Sequence, residues 1–331
     1  MKLAPIFTDH AVFPANKPVR IYGEGVGTVT VSLGNTCVST EANGRWLVTF
    51  PPLPHGGPFA LVVTCGNETV VLKDIYLGEV YLLSGQSNME FKLHESTRPQ
   101  AEYKSDEKIR LFTSDRAWRN KEHFRSRDGW LLCDKETAGH WTAIGYELAH
   151  CIREKRDVAI GLIACYQEAS VIEAWLPEAI ANSPEFFLNP EAKHWDHHAP
   201  AFEDWNSAGK LYNSLFLQIA PFAVTRVIWY QGESDSTVAE AEIYDRELIA
   251  LMGVWRQELF DETLPVTVIQ LADAKACYYP DGWKAIQEAQ LRAVKQDPLA
   301  TLIVSRDVCE SDIGLHPPTK KLLARRIADS L

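Results

Sequence analysis

Three short polar segments of this chain combine residue types that can do acyl chemistry, and each adjoins a run that reads as regular structure. The first is Ser84-Gly85-Gln86-Ser87-Asn88-Met89-Glu90, directly after Val80-Tyr81-Leu82-Leu83. A serine at a strand-to-helix turn exposes its Oγ while local backbone N–H groups point toward an incoming carbonyl. Ser87 and Asn88 suit a helix cap equally well, and position alone does not separate the two readings. The second segment is Trp229-Tyr230-Gln231-Gly232-Glu233-Ser234-Asp235, after Arg226-Val227-Ile228. Its alternative is a turn in which Ser234 and Asp235 cap a helix. The third, Asp312-Ile313-Gly314-Leu315-His316-Pro317-Pro318, precedes the last helix. A single histidine there is usually structural. Serine chemistry, however, needs a base and an acid to orient it, and His316 has acids just upstream.

The elements that must position these segments follow from periodicity. Residues 76–331 alternate strands and amphipathic helices. Strands are expected at 79–83, 158–164, 226–230, 266–271 and 300–304. Helical faces are expected from Ile144, Leu148 and Cys151, from Leu211, Leu215 and Ile219, and from Tyr244, Leu248, Leu251 and Trp255. Near-continuous apolar strands between helices imply a parallel sheet covered on both faces. Ligand sites in such sheets lie beyond the carboxyl ends of the strands, where the three segments fall. Residues 1–75 differ: short alternating runs separated by Gly and Asn predict a small antiparallel β-sandwich domain, with a hairpin turn at Asn43-Gly44. Gly23-Glu24-Gly25-Val26-Gly27 opens no helix, so it reads as turn material rather than a phosphate loop.

A net charge of −11 argues against nucleic acid and anionic membranes as partners. No run approaches the ~18 apolar residues of a membrane span, and the first residues lack the apolar stretch of a signal peptide. The seven cysteines are odd in number and scattered without a Cys-x-x-Cys pair, so free thiols in a cytoplasmic protein are expected. His194-Trp195-Asp196-His197-His198 is a possible metal-binding surface loop, but nothing else in the sequence supports one; no metal and no cofactor are expected. Trp195, Tyr278, Tyr279 and Trp283 fall in loops that could frame a sugar.

Together the segments resemble the sialate O-acetylesterase branch of the SGNH hydrolases, the SASA carbohydrate esterases. Gly85-Gln86-Ser87-Asn88-Met89, Trp229 to Ser234, and His316-Pro317 followed by Lys320 carry the resemblance, with Ile172 to Trp175 and Leu211-Tyr212-Asn213 as further similar segments. It covers essentially the whole chain. It implies a flavodoxin-like three-layer α/β/α catalytic domain at 76–331 after a small β domain at 1–75. It also implies an esterase that removes O-acetyl groups from a carbohydrate through an acetyl-enzyme. O-acetylated sialic acid is the first substrate implied; acetylated xylan fragments or other oligosaccharides are the alternative. A third reading is a non-catalytic carbohydrate-binding protein on a decayed scaffold. By the same resemblance Ser87 is the nucleophile and His316 its base. The Ser87 N–H, the Gln231 amide and the Glu168 N–H form the oxyanion hole, and Asn213 and Glu233 meet the substrate.

Two positions depart from the pattern. Gln167-Glu168-Ala169-Ser170 stands where the family has Trp-Gly-Gly-Thr, so Glu168 replaces the first glycine. If that position needs positive φ, the replacement adds strain of ~1 kcal/mol or more. The acid expected three residues before the histidine is Ile313; Asp312 is the first candidate and Asp307 the next, with a backbone carbonyl as the remaining option.

Overall fold

The computed structural model describes residues 1–116, 128–310 and 314–331. Its strands are β1 (Lys2–Leu3), β2 (Val12–Pro14), β3 (Val19–Leu33), β4 (Thr36–Phe50), β5 (Gly56–Cys65), β6 (Glu68–Gly85), β7 (Asp106–Thr113), β8 (Leu131–Cys133), β9 (Ile160–Tyr166), β10 (Arg226–Tyr230), β11 (Val266–Ile269) and β12 (Ala300–Ile303). The helices are α1 (Ser87–Glu90), α2 (Ala143–Arg153), α3 (Glu178–Ala181), α4 (Lys210–Ser214), α5 (Val238–Ala241), α6 (Tyr244–Glu258), α7 (Pro280–Gln296) and α8 (Lys321–Asp329).

β6 belongs to both halves of the chain. Its first part pairs antiparallel with β5, from Glu68 opposite Cys65 to Leu77 opposite Gly56. Its last seven residues, Glu79–Gly85, lie parallel to β9, and Tyr81–Gly85 lie parallel to β10 on the other edge. The parallel sheet runs β7-β9-β6-β10-β11-β12, with β8 antiparallel on the outer edge of β7. Every residue of β9 and β11 is buried. Successive side chains of a strand point to opposite faces, so both faces of this sheet are covered. The covering helices include two packed pairs, α2 with α8 and α6 with α7. The composition changes near residue 75, inside β6.

The strand expected at 226–230 appears with those bounds as β10. β7 was not expected, because its charged start, Asp106-Glu107-Lys108, hides the apolar run that follows. The segment carrying Leu211, Leu215 and Ile219 is not one helix. α4 ends at Ser214 and a 3₁₀ turn, Phe216–Gln218, follows. Ser214 donates back to the Lys210 carbonyl at 2.6 Å, a local bond that competes with the helical ladder.

Two turn expectations are corrected. The β3–β4 hairpin closes through Gly34-Asn35, between paired Leu33 and Thr36, and Gly34 holds φ 58°. Asn43-Gly44 instead lies inside β4, opposite Val26 and Gly25. A Gly-Asn link serves a two-residue turn as well as Asn-Gly does. The observed register also buries Val29, Val31 and Leu33 together on one face. Residues 23–27 are likewise strand interior. Gly23 is required there because a Cβ would sit 2.2 Å from the Lys2 carbonyl oxygen, where β1 crosses. All seven cysteines are unpaired.

Candidate active site

β6 ends in Gly85, which holds φ 135° between its two neighbouring strands. A Cβ there would lie 2.1 Å from the Tyr230 carbonyl oxygen, so only glycine fits. Gln86 donates its N–H to Tyr230 O at 3.0 Å and Gly85 O accepts from Gln167 at 3.0 Å, which clamps the strand end between β9 and β10. The chain then turns directly into α1. Ser87 is its first residue, so the Ser87 N–H has no acceptor within the helix. Gln86 occupies the cap position without a side-chain bond, so neither Ser87 nor Asn88 caps the helix. Ser234 and Asp235 do not cap either. The Ser234 hydroxyl donates to Asp196 Oδ2 at 2.6 Å, and α5 is capped by Thr237.

His316 reaches Ser87 from the loop before α8, with Nε2 2.7 Å from the Ser87 Oγ. Asn88 sets that approach. Its amide donates to the Leu315 carbonyl at 2.8 Å and to Glu233 Oε1 at 2.6 Å, while its Oδ1 accepts from Lys320 Nζ at 2.7 Å. The imidazole pKa is pushed below its ordinary value, first by loss of solvent around the ring and next by the Lys320 charge; Glu95 opposes both. Burial pushes Glu233 up to about 7 and Lys320 down to about 8.

Ser87 and His316 open onto a cleft of about 300 Å³ whose walls include Glu168, Ala169, Asp196 and Glu233. Trp195, Phe202, Tyr278 and Trp283 supply its aromatic side. Trp195 and Tyr278 are 39% and 66% exposed and pack on each other with ring centroids 5.7 Å apart. Tyr279 instead packs edge-on against His194, with ring centroids 5.1 Å apart. Among the described residues no lysine or arginine lines the cleft.

The remaining expected residues divide. Glu168 lines the cleft, but the residue with positive φ is its neighbour Ala169, at 48°. Gln231 is corrected: it is fully buried and does not line the cleft. Its amide hydrogens go to Ser170 O, at 2.8 Å, and to the Asp235 carboxylate, while its Oε1 accepts from Tyr244. An amide with both hydrogens committed has none for an oxyanion. Asn213 is also corrected. It sits on α4 away from the cleft, and its amide donates to Gly209 O at 2.8 Å in the turn before it. Asp312 lies outside the described residues. Asp307 is engaged elsewhere, with both carboxylate oxygens on Arg326. In the His194–His198 segment His194 and Asp196 are buried, while Trp195 and His198 are exposed. Asn88, Lys320 and Asp196 had no assigned role in the sequence. Their contacts span more than a hundred residues in two of the three cases, and no local spacing signals such pairs.

A family model described as carbohydrate esterase, sialic acid-specific acetylesterase, matches residues 77–331. Human sialate O-acetylesterase is 24% identical over 354 aligned residues, which cover 95% of this chain and 66% of that protein. The rat sialate O-acetylesterase is 23% identical over 377, covering 95% and 69%. The chain therefore spans about two thirds of the length of these relatives. A crystal structure of a carbohydrate acetylesterase from Xanthomonas citri superposes with a TM-score of 0.83 at 28% identity, covering 98% of this chain and 73% of that one.

Proposed function

The chain belongs to the carbohydrate-esterase family of sialic acid-specific acetylesterases, and on that footing we propose that it is a serine esterase that removes O-acetyl groups from a carbohydrate. The observation that carries this reading is the 2.7 Å contact between Ser87 Oγ and His316 Nε2 at the carboxyl end of the central strand. In this scheme Ser87 Oγ attacks the acetyl carbonyl and His316 Nε2 takes its proton. The C–O bond to the sugar breaks, and His316 returns the proton to the sugar oxygen as it leaves. Water, deprotonated by the same imidazole, then attacks the acetyl carbon, the bond to Ser87 Oγ breaks, and His316 returns the proton to Oγ as acetate leaves. A pKa held below the ordinary imidazole range keeps His316 neutral, the state a base requires.

The oxyanion is assigned to the Ser87 N–H and the Glu168 N–H. The Gln231 amide has no share in it, because its hydrogens are committed. Loss of one such donor typically costs ~3 kcal/mol of transition-state stabilisation. Asp312, which lies outside the described residues, is assigned to orient His316 and is the acid to test.

The aromatic lining of the cleft, with Trp195 and Tyr278 partly exposed, suits the pyranose ring of either substrate class. An O-acetylated sialic acid is the first reading, in keeping with the family, and an acetylated neutral oligosaccharide the second. Hydrolysis of an activated acetate ester by wild type and Ser87→Ala tests the esterase itself. Equal rates would exclude it and leave a carbohydrate-binding protein. A panel of acetylated xylo-oligosaccharides and acetylated sialic acids then separates the substrates.

A further inference from the structure

Behind the cleft wall formed by Glu233 and Ser234 lies an ionic cluster that the esterase scheme does not use. Glu173 comes from the 3₁₀ turn Ile172–Trp175, Asp235 from the turn Glu233–Asp235, Glu240 from α5 and Glu247 from α6. These four carboxylates are between 1% and 6% exposed. The groups facing them are Lys193, whose Nζ donates to Glu173 Oε1 at 2.6 Å, and His197, whose Nε2 lies 2.7 Å from Glu240 Oε1. His194 and Asp196 complete the surroundings. Burial pushes His194 down to about 4, which keeps it uncharged, and Asp196 accepts from Ser234. Four buried acids thus meet one ammonium and one imidazole. Buried charge persists only when it is paired or coordinated to a metal.

The donor atoms converge. His197 Nε2 lies 3.7 Å from Glu173 Oε2 and 3.8 Å from Asp235 Oδ1. The three atoms all fall within 4.8 Å of one another. Small side-chain shifts would bring three donors so spaced to the ~2.0–2.2 Å of Zn–N and Zn–O bonds around one ion. One of the three has no other partner: Glu173 Oε2 is buried without a hydrogen bond and Glu173 is only 6% exposed, while His197 Nε2 faces Glu240 Oε1 at 2.7 Å and exchanges that contact for the ion. Asp235 accepts from the Ile172 N–H at Oδ1 and from Gln231 at Oδ2. Oδ1 keeps a second lone pair beyond the Ile172 contact.

We propose that Glu173, His197 and Asp235 bind one divalent transition-metal ion of the Zn²⁺ class. One imidazole nitrogen with two carboxylate oxygens is a borderline donor set, suited to Zn²⁺ or Mn²⁺ rather than to Ca²⁺. The ion joins the turns 172–175, 195–197 and 233–235, two of which carry Trp195 and Glu233 into the cleft. Its role is structural, and it stands whether or not the chain is an esterase.

Protons are the competing way to neutralise the cluster. Protons compete with the ion for the same donor atoms, so ion binding strengthens as pH rises. The test uses the untagged full chain, dialysed against Zn²⁺ and then against metal-free buffer. Wild type retains one Zn²⁺ per chain by elemental analysis, and Zn²⁺ raises its Tm more at about pH 8 than at about pH 5.5. His197→Gln and Asp235→Asn, folded by circular dichroism, retain none and lose the Tm shift. Wild type that retains no Zn²⁺ and shows no shift at either pH overturns the proposal, as do variants that retain it fully. Should the variants fail to fold, Co²⁺ added to wild type decides. Visible d–d absorption displaced by Zn²⁺ supports the site, and its absence overturns it.

Discussion

Asn88 donates to the Leu315 carbonyl at 2.8 Å, so the residue after Ser87 holds the residue before His316. The same side chain is gripped by Lys320 Nζ on its Oδ1 and gives its second amide hydrogen to Glu233. Nucleophile and base therefore share one fixed bracket, although 229 positions separate them in sequence.

That bracket predicts a positioning effect. Asn88→Ala lowers kcat on an activated acetate by about 100-fold, the scale of an ångström-sized misplacement, with little change in KM. Asn88→Asp rescues it only in part, because the amide donors are lost. Steady-state kinetics on protein whose circular dichroism matches wild type checks this; an unchanged kcat in Asn88→Ala refutes it.

The pH dependence of kcat/KM follows from His316. The imidazole acts as a base, so activity is absent where it is protonated and rises through its pKa. That pKa lies below the ordinary value, so the acid limb has its midpoint below about 6.5. Lys320 contributes to the depression, and Lys320→Met moves the midpoint upward. A midpoint that stays in place in Lys320→Met removes Lys320 from the account.

Glu233 makes stability depend on pH. Its folded pKa of about 7 is raised from 4.5 by burial. Its contribution is therefore complete below about pH 4.5 and is lost as pH rises through about 7. Glu233→Gln mimics the protonated form and keeps the Asn88 contact. The variant gains stability relative to wild type between those pH values, on the order of 3 kcal/mol at full effect. Urea unfolding at several pH values measures the gain, and a pH-independent difference would contradict it.

Ala169 carries the backbone strain first sought at Glu168. Its φ of 48° lies in the left-handed region, so Ala169→Gly stabilises the fold by about 1 kcal/mol. Glu168→Gly gives no such gain, because Glu168 is not among the residues with positive φ. Denaturant midpoints compare the two, and equal shifts would show that the strain is not local to Ala169.

The Gln231 amide, expected at the oxyanion, is committed to Ser170 and Asp235. Gln231→Ala removes the donor to Asp235 Oδ2 and to the Ser170 carbonyl in the interior. Each such loss costs ~1–3 kcal/mol, so the expected result is a lowered Tm. The loss of kcat should stay well short of that for a missing oxyanion donor. A normal Tm with a thousand-fold lower kcat would return Gln231 to the oxyanion hole.

By itself the sequence determined what local physics can encode. Apolar periodicity located β10 to the residue and placed β9, β11 and β12 within a few positions, because a strand buried on both faces must be apolar at nearly every residue. Glycine at 85 and the polar residues after it marked the strand end where Ser87 stands. The three polar segments offered Ser87 and His316 as candidates, and the family resemblance, not local physics, assigned their roles. Only the tertiary structure decided which side chains have hydrogens left to give. Gln231, Asn213 and Asn88 are all amides in segments that look alike in sequence. Burial and distant partners commit Gln231 to Asp235, Asn213 to its own helix and Asn88 to the His316 loop. The pairing of Lys320 with Asn88 and the meeting of Glu173, His197 and Asp235 have the same origin. Chain crossings bring together residues whose spacing in sequence carries no period, so the polar interior became legible only once the sheet had closed around it.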